Sequence, residues 1–280
     1  MISAKVIADS IWANKRITTL QLRLPRFILS QLNKHRAFSN NAASSRAIPV
    51  AKMIEQVVND PVIPIHWGAN QAGMVADKEL SEADIQECRH LWLSARDAAV
   101  EYARMFADKG LHKQVANRLL EPFMWSDVLV TATEWDNFFN LRLAHDSQPE
   151  MQELAWVMKR AMDESMPFET PYHLPYIRSS EIVDCLEAAP TKSTHLPLED
   201  FFKLAPISAA RCARVSYRNH DNSECVVEKD KQLADTLRAA KHYTPFEHQA
   251  MWIGGTAQNT ANFKGWQSHR VFLEWGKADD

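Results

Sequence analysis

Glycine is scarce in this chain, 7 of 280 residues. Neither GxGxxG nor GxxxxGK(S/T) occurs, which disfavours a Rossmann or P-loop phosphate site. The four cysteines, Cys88, Cys185, Cys212 and Cys225, are scattered without a CxxC pair. That usage suits a reducing cytoplasm better than a disulfide framework or a zinc site. No apolar run of membrane-spanning length and no signal peptide is visible, so the expectation is a soluble cytoplasmic protein with no membrane partner. A net charge of -3 and a pI near 6.4 leave no basic footprint for polymeric nucleic acid, while a nucleotide-sized anion needs only a local cluster. Repeats and low-complexity segments are also missing. At 32.0 kDa the chain can bury a sizeable core, as one domain or two.

What is present is a dense polar stretch, Lys34 to Arg46, read KHRAFSNNAASSR. It gathers cations, hydroxyls and amides with little that fills a core. Before it, Arg16 to Leu24 alternates, with Leu20, Leu22 and Leu24 on one face and Thr19, Gln21 and Arg23 on the other, the pattern of a half-buried strand. Pro25 ends the strand and suits the start of a helix running to about His35, with Gln31 and His35 one turn apart. Lys-His-Arg then sits at the negative end of the helix dipole, and the Ser- and Asn-rich run after it reads as a loop. In that loop Ser44, Ser45 and Arg46 can donate several hydrogen bonds to one phosphate, the guanidinium supplying a matching fork. The bland alternative is a solvated helix end followed by a surface loop.

Elsewhere, Ile2 to Ala8 reads as a strand that turns at Ala13-Asn14-Lys15 into the next, an N-terminal hairpin. Pro49 starts a helix with an apolar stripe of Met53, Ile54, Val57 and Val58. Asp60 to Gly73 is a loop whose His66 and Trp67 either pack or line a pocket. Ser81 and Asp84 resemble a capping box and Gly110 a terminator. Between them Cys88, Leu91, Ala95, Ala98, Tyr102, Met105 and Phe106 recur at helical spacing, giving a long scaffold or interface helix. Gln114 to Leu120 is helical, Val128 to Val130 is an apolar run, and a helix through Asn137 and Phe138 breaks near His145. The next has Pro149 just inside its start and buries Met151, Leu154, Met158 and Met162. Arg142, in so apolar a setting, requires a ligand or a carboxylate partner, with Glu150 the structural choice. Prolines punctuate 168 to 206, which reads as a surface connection with short elements such as 182 to 186.

Three of these stretches carry a resemblance. KHRAFSNNAASSR resembles the flavin-dependent thymidylate synthase signature RHRxxSxNExSxR, departing at Lys34 and Ala42. Arg118 ahead of Pro122, and TATEWDNFFNLR followed by DSQPE, resemble the family's Arg before Leu-Pro and its NxRxxxNFLxLR run followed by HAQWE. Asn137 and Arg142 coincide with family positions, whereas Thr131 and Thr133 replace an Asn and an Arg. ARCARVSY at 210 to 217, an acidic helix at 228 to 240 and HYTPFEH at 242 to 248 resemble segments that precede the signature in the family but follow it here. The resemblance covers roughly 2 to 50, 110 to 155 and 207 to 253. It implies an α+β fold, an antiparallel or mixed sheet flanked by long helices, in one circularly permuted catalytic domain over 1 to 280. The 60 to 80 loop and the 156 to 206 surface connection lie outside it.

The resemblance also implies chemistry. FAD falls to His35, Arg36, Asn41, Asn137, His242, Thr244 and Glu247, with Lys34 in place of an Arg. dUMP falls to Gln31, Ser44, Ser45, Arg46, Arg118 and Arg142, with Arg142 as the catalytic electrostatic group. NADPH reduces the flavin and methylenetetrahydrofolate gives the one-carbon unit in making dTMP. No cysteine nucleophile and no metal is required, and Ser44 lacks the His and Asp partners of a nucleophile. Sites shared in a homotetramer give the long helix its interface role. The departures leave open a C5 hydroxymethylase, an enzyme acting on dCMP, or an inactive nucleotide-binding relative.

Overall fold

Strand β1 (Ser3–Trp12) folds back on β2 (Lys15–Pro25) as an antiparallel hairpin. Ala13 (φ 47°) and Asn14 (φ 62°) occupy the left-handed region at its tip, the pair of positive φ angles that suits the twist of a two-residue hairpin turn. The computed structural model describes residues 1–182, 198–215, 226–254 and 262–275. β2 lies between β1 and β4 (Trp125–Ala132), and β4 also pairs antiparallel with the short β3 (Ser39–Ala42). A two-residue strand, β5 (Phe168–Glu169), runs parallel to β1 and completes the order β3-β4-β2-β1-β5. A second, antiparallel sheet has the order β6 (Tyr172–His173), β7 (Ala250–Trp252), β8 (Trp266–Ser268).

The helices, in chain order, are α1 (Leu29–Leu32), α2 (Val50–Asn59), α3 (Glu82–Asp108), α4 (Lys113–Ala116), α5 (Asp136–Arg142) and α6 (Pro149–Asp163). Beyond them come α7 (Leu198–Ala213), α8 (Val227–Ala239) and α9 (His269–Trp275). The architecture is mixed α+β.

Alternation in β2 and β4 decides the layers. Leu20, Leu22, Leu24, Val128, Val130 and Ala132 point to one face and pack with Leu32, Phe138, Met151, Leu154 and Met158 of α1, α5 and α6. Each such fully buried aliphatic side chain contributes roughly 1.5–3 kcal/mol. The opposite face is buried too: Leu129 packs with Cys212 and Val215, and Thr19 and Thr131 are inaccessible. This double burial explains why β4 reads as a continuous apolar run. A separate core joins Met53, Ile54 and Val57 of α2, Val100 and Ala103 of α3, and Leu120 and Phe123.

Local signals hold where capping chemistry is strong. The Ser81 hydroxyl accepts the Asp84 backbone N–H at 3.3 Å and starts α3, and Gly110 follows its end with φ 75°. Pro149 sits in the first turn of α6.

Four expectations about single elements are corrected first. The helix through His35 stops at Leu32, after a 3-10 turn at Arg26–Ile28. The chain reverses there because Phe38 enters the core against Trp135 and Phe138. The polar run read wholly as loop contains β3, since the free edge of β4 offers ladder partners that override local propensity. The stripe on α3 faces outward: Leu91, Tyr102 and Met105 are 58%, 57% and 48% exposed. The buried side carries Trp92, Ala99, Val100 and Ala103 instead, because α2 and the 117–123 turn pack there. Val58 likewise leaves the α2 stripe and is exposed.

The stretch read as a surface connection is in part built into the fold, although Met166 and Phe168 are exposed. α6 runs to Asp163, His173 is fully buried, and Phe201 and Ala205 belong to a core. Residues 183–186 of the expected short element, together with Cys185, Cys225, Ser216 and Tyr217, lie outside the described residues.

Candidate active site

The signature turn is fixed from both ends. β2 delivers the chain into α1, the Lys34 and His35 amides donate back to the carbonyls of Gln31 and Leu32, and β3 then anchors to β4 through Ser39 opposite Thr131. α5 follows β4 and carries Arg142 to the same place. Arg142 Nε donates to His35 Nε2 at 3.0 Å, while the imidazole packs edge-on to Phe138 with ring centroids 4.8 Å apart. Burial, and then the neighbouring Arg142 charge, hold the His35 pKa below its ordinary value. The ring is therefore a neutral acceptor at Nε2 with its proton on Nδ1. The structural choice of Glu150 as partner for Arg142 is replaced by His35.

Beside this joint opens a cleft of about 940 Å³, lined by Gln31, Lys34, Arg142, Gln148 and Glu150 and by His66 and Met74 of the 60 to 80 loop. Gln31 Nε2 donates to Gln148 Oε1, and Gln148 Nε2 donates to Glu150 at 3.0 Å. A carboxylate only accepts, so this chain of bonds sets both amide orientations. Glu150 is 4% exposed, and its other oxygen accepts the Ile65 N–H at 3.1 Å. The 60 to 80 loop is thereby tied to the cleft floor, and its His66 ring bonds the Ala76 carbonyl at 2.7 Å.

The anion-binding candidates divide. Ser45 is buried and donates to Glu121 Oε1 at 3.0 Å, and Arg118 donates to the same oxygen at 2.6 Å. Asn117 holds the carbonyls of Ser45 and Ile48 at 2.7 and 2.9 Å. Ser44 is half-buried and Arg46 exposed; neither side chain bonds a described residue. Among the flavin candidates, Asn41 on β3 donates to the Cys212 carbonyl at 3.1 Å. Glu247 pairs with Arg270 and lines a small cavity with Ser39, and burial raises its carboxyl pKa despite these neighbours. Lys34, Arg36, Asn137, His242 and Thr244 are exposed, with no side-chain hydrogen bond to a described residue. The signature thus meets the Arg142 segment at His35–Arg142 and at β3–β4, and meets ARCARVSY at Asn41–Cys212.

The replacements have their own partners. Thr131 is committed to a buried chain in which Ser10 and Thr19 flank the His173 ring at 2.9 and 2.7 Å. Thr131 then bonds both Thr19 and His248, at 2.7 and 2.8 Å. The Thr133 hydroxyl accepts the Lys264 N–H at 3.0 Å. Sequence reading missed Glu121, Gln148 and Arg270. Glu121 carried a signal, a carboxylate where the resemblance has Leu before Pro; Arg270 sits in the tail outside the resemblance and carried none.

Among the described residues no helix is long and apolar enough to cross a membrane, and no group of three His, Cys, Asp or Glu is placed to hold a metal ion. No curated protein matches the chain significantly. The family model described as Thy1, thymidylate synthase complementing protein, matches residues 13–168. That span exceeds half of the chain and contains both the signature turn and the Arg142 helix, so the protein belongs to the thymidylate synthase complementing family, the flavin-dependent thymidylate synthases.

Proposed function

We propose that this chain methylates dUMP at C5 to give dTMP, with methylenetetrahydrofolate as one-carbon donor, FAD as bound cofactor and NADPH as its reductant. The contact that carries the reading is Arg142 Nε to His35 at 3.0 Å. It seats the α5 cation against the signature turn, on a cleft that Gln31 and Lys34 share. With Nε engaged, the terminal guanidinium nitrogens are left to donate to a pyrimidine carbonyl oxygen. Electron density shifts between C5 and the ring carbonyl during reaction, and a cation held in place stabilises it without reorganising, worth on the order of 10²–10³ in kcat. Gln31 gives one of its two N–H groups to Gln148, and its carbonyl oxygen remains to accept an N–H of the base. Ser44, Ser45, Arg46 and Arg118 take the phosphate.

The flavin, when bound, supplies the hydride that reduces the transferred carbon to a methyl group. Lys34, Arg36 and His242 are exposed donors suited to its pyrophosphate, with His35, Asn41, Asn137, Thr244 and the Arg270-held Glu247 as polar neighbours. Their donor chemistry fits the group. The cavity beside Glu247 is only about 210 Å³, so enclosure falls to a second protomer. A homotetramer in the cytoplasm fits this need, and the outward stripe Leu91, Ala95, Ala98, Tyr102 and Met105 on α3, spaced three and four apart, is the apolar face such an interface would cover. A circularly permuted motif order is proposed with it. The matched span ends before the ARCARVSY and PFEH segments, yet Asn41 of the signature donates to Cys212 of the first and Ser39 lines a cavity with Glu247 of the second.

The test is tritium release from [5-3H]dUMP by the purified yellow protein, run beside labelled dCMP, with product mass separating methyl from hydroxymethyl. Flavin-loaded protein that releases no tritium from either nucleotide would sink the proposal. A second reading, nucleotide binding without turnover, is favoured by Thr131, whose hydroxyl is sequestered in the buried chain and replaces nothing that the family's amide supplied. Absence of a flavin band would favour it.

A further inference from the structure

We propose that Glu121 is a built-in competitor for the substrate's phosphate, occupying the donors that the phosphate needs and so setting how tightly a nucleoside monophosphate binds. The inference rests on the reading of Ser44 to Arg46 and Arg118 as a phosphate site. One oxygen, Glu121 Oε1, accepts Ser45 Oγ at 3.0 Å and Arg118 at 2.6 Å, with a guanidinium nitrogen of Arg26 at 3.9 Å. A carboxylate collecting a hydroxyl and two guanidinium groups reproduces what one phosphate oxygen would collect. Among the described residues the Ser44 and Arg46 side chains have no hydrogen-bond partner, while Ser45 and Arg118 are filled from within the chain. Phe27 and Pro122, chain neighbours of Arg26 and Glu121, line the cleft that Gln31 and Arg142 share. The competitor therefore borders the place where the base would lie.

The surrounding chemistry makes Glu121 a competitor rather than a structural strut. The loop that presents Ser45 is held without it: Asn117 grips the carbonyls of Ser45 and Ile48, Lys113 Nζ that of Ala47 at 3.0 Å, and Arg26 that of Ala43 at 3.3 Å. Glu121 is partly open to solvent, its side chain 26% exposed, and it sits on a 3-10 turn immediately before Pro122. Removing its charge leaves the loop's scaffold in place and returns Ser45 and Arg118 to an incoming anion. A dianion approaching with Glu121 ionised meets repulsion at contact range and must displace it.

Calorimetric titration of dUMP and of deoxyuridine into the whole protein, wild type against E121Q and E121L, tests this. Expected is a rise in dUMP affinity of about tenfold in both variants, with deoxyuridine affinity unchanged. Equal or weaker dUMP binding by variants that melt like the wild type overturns the proposal, since a strut would lose affinity and stability together. If dUMP binds none of the three, the monophosphate reading fails separately. Inorganic phosphate then decides the competitor: saturable binding that is about tenfold tighter in both variants supports it, and equal binding overturns it.

Discussion

Arg142 and His35 are 107 positions apart in the chain, yet the guanidinium donates to the imidazole at 3.0 Å. The bond fixes the protonation of one and the aim of the other. A neutral ring accepts from Nε, and Arg142, which lines the cleft, has no other side-chain hydrogen bond to a described residue.

Substitution of Arg142 therefore separates catalysis from folding. R142A is expected to lower tritium release from labelled dUMP by about 10²-fold or more, with little change in melting temperature because the side chain is only half-buried. Turnover within a factor of two of wild type would remove Arg142 from the reaction.

Acid should unfold the protein through its buried rings. His173 and His248 are held neutral by desolvation, with pKa values pushed down to about 3 from an ordinary 6.5. For His173 the nearby Asp9 opposes the shift, and for His248 the neighbouring His173 adds to it. The unfolded chain binds more protons between these values, so stability is whole above pH 6.5 and is lost as pH falls toward 3. Melting temperature measured from pH 8 to 4 should drop below pH 6.5, and H173N should flatten the slope. An unchanged slope in that variant would show that the ring is not the titrating group.

Glu150 orders the cleft from beneath. Glu150→Ala leaves the Ile65 N–H and Gln148 Nε2 without their partner, at a cost of about 1–3 kcal/mol read by urea unfolding. Freed from Glu150, Gln148 no longer sets the Gln31 amide, so KM for dUMP should rise more than kcat falls. A fall in kcat with KM unchanged would contradict that positioning role.

Two cations meet in the C-terminal part, where Arg214 also pairs with the buried Asp230, at 2.6 Å. Arg211, 6% exposed, donates to Asp230 at 2.8 Å and to both oxygens of Glu181 at 2.8 and 2.6 Å. R211A strips the half-buried Glu181 of its fork and leaves Asp230 to Arg214 alone, and should cost about 1–3 kcal/mol. R211K keeps the charge, loses the fork and should fall between. Chemical denaturation of the three proteins checks the order.

The outward face of α3 predicts assembly. Charges placed there, L91E with Y102E, are expected to break the proposed homotetramer into monomers by light scattering while helix content is retained. A monomeric wild type would leave the stripe unexplained.

Part of the fold was legible because its causes are local. Alternating leucines specify β2, the Ser81 cap and Gly110 bound α3, and Pro149 starts α6, each within a few residues of the element it controls. β3 was not legible. SNNA has poor strand propensity, and what makes it a strand is the open edge of β4. The face of α3 that turns inward was also hidden, since both of its stripes are apolar at helical spacing and only the position of α2 chooses between them.

The sequence by itself determined the hairpin, the long helices, the family, and the residue types from which a phosphate and base site can be built. Tertiary structure decided which of those residues meet. It gave Arg142 to His35 rather than to Glu150, and it set Glu121 on Ser45, 76 positions away. Spacing along a chain encodes period and backbone propensity, whereas a pairing between distant side chains exists only after the sheet and its helices have fixed where each is held.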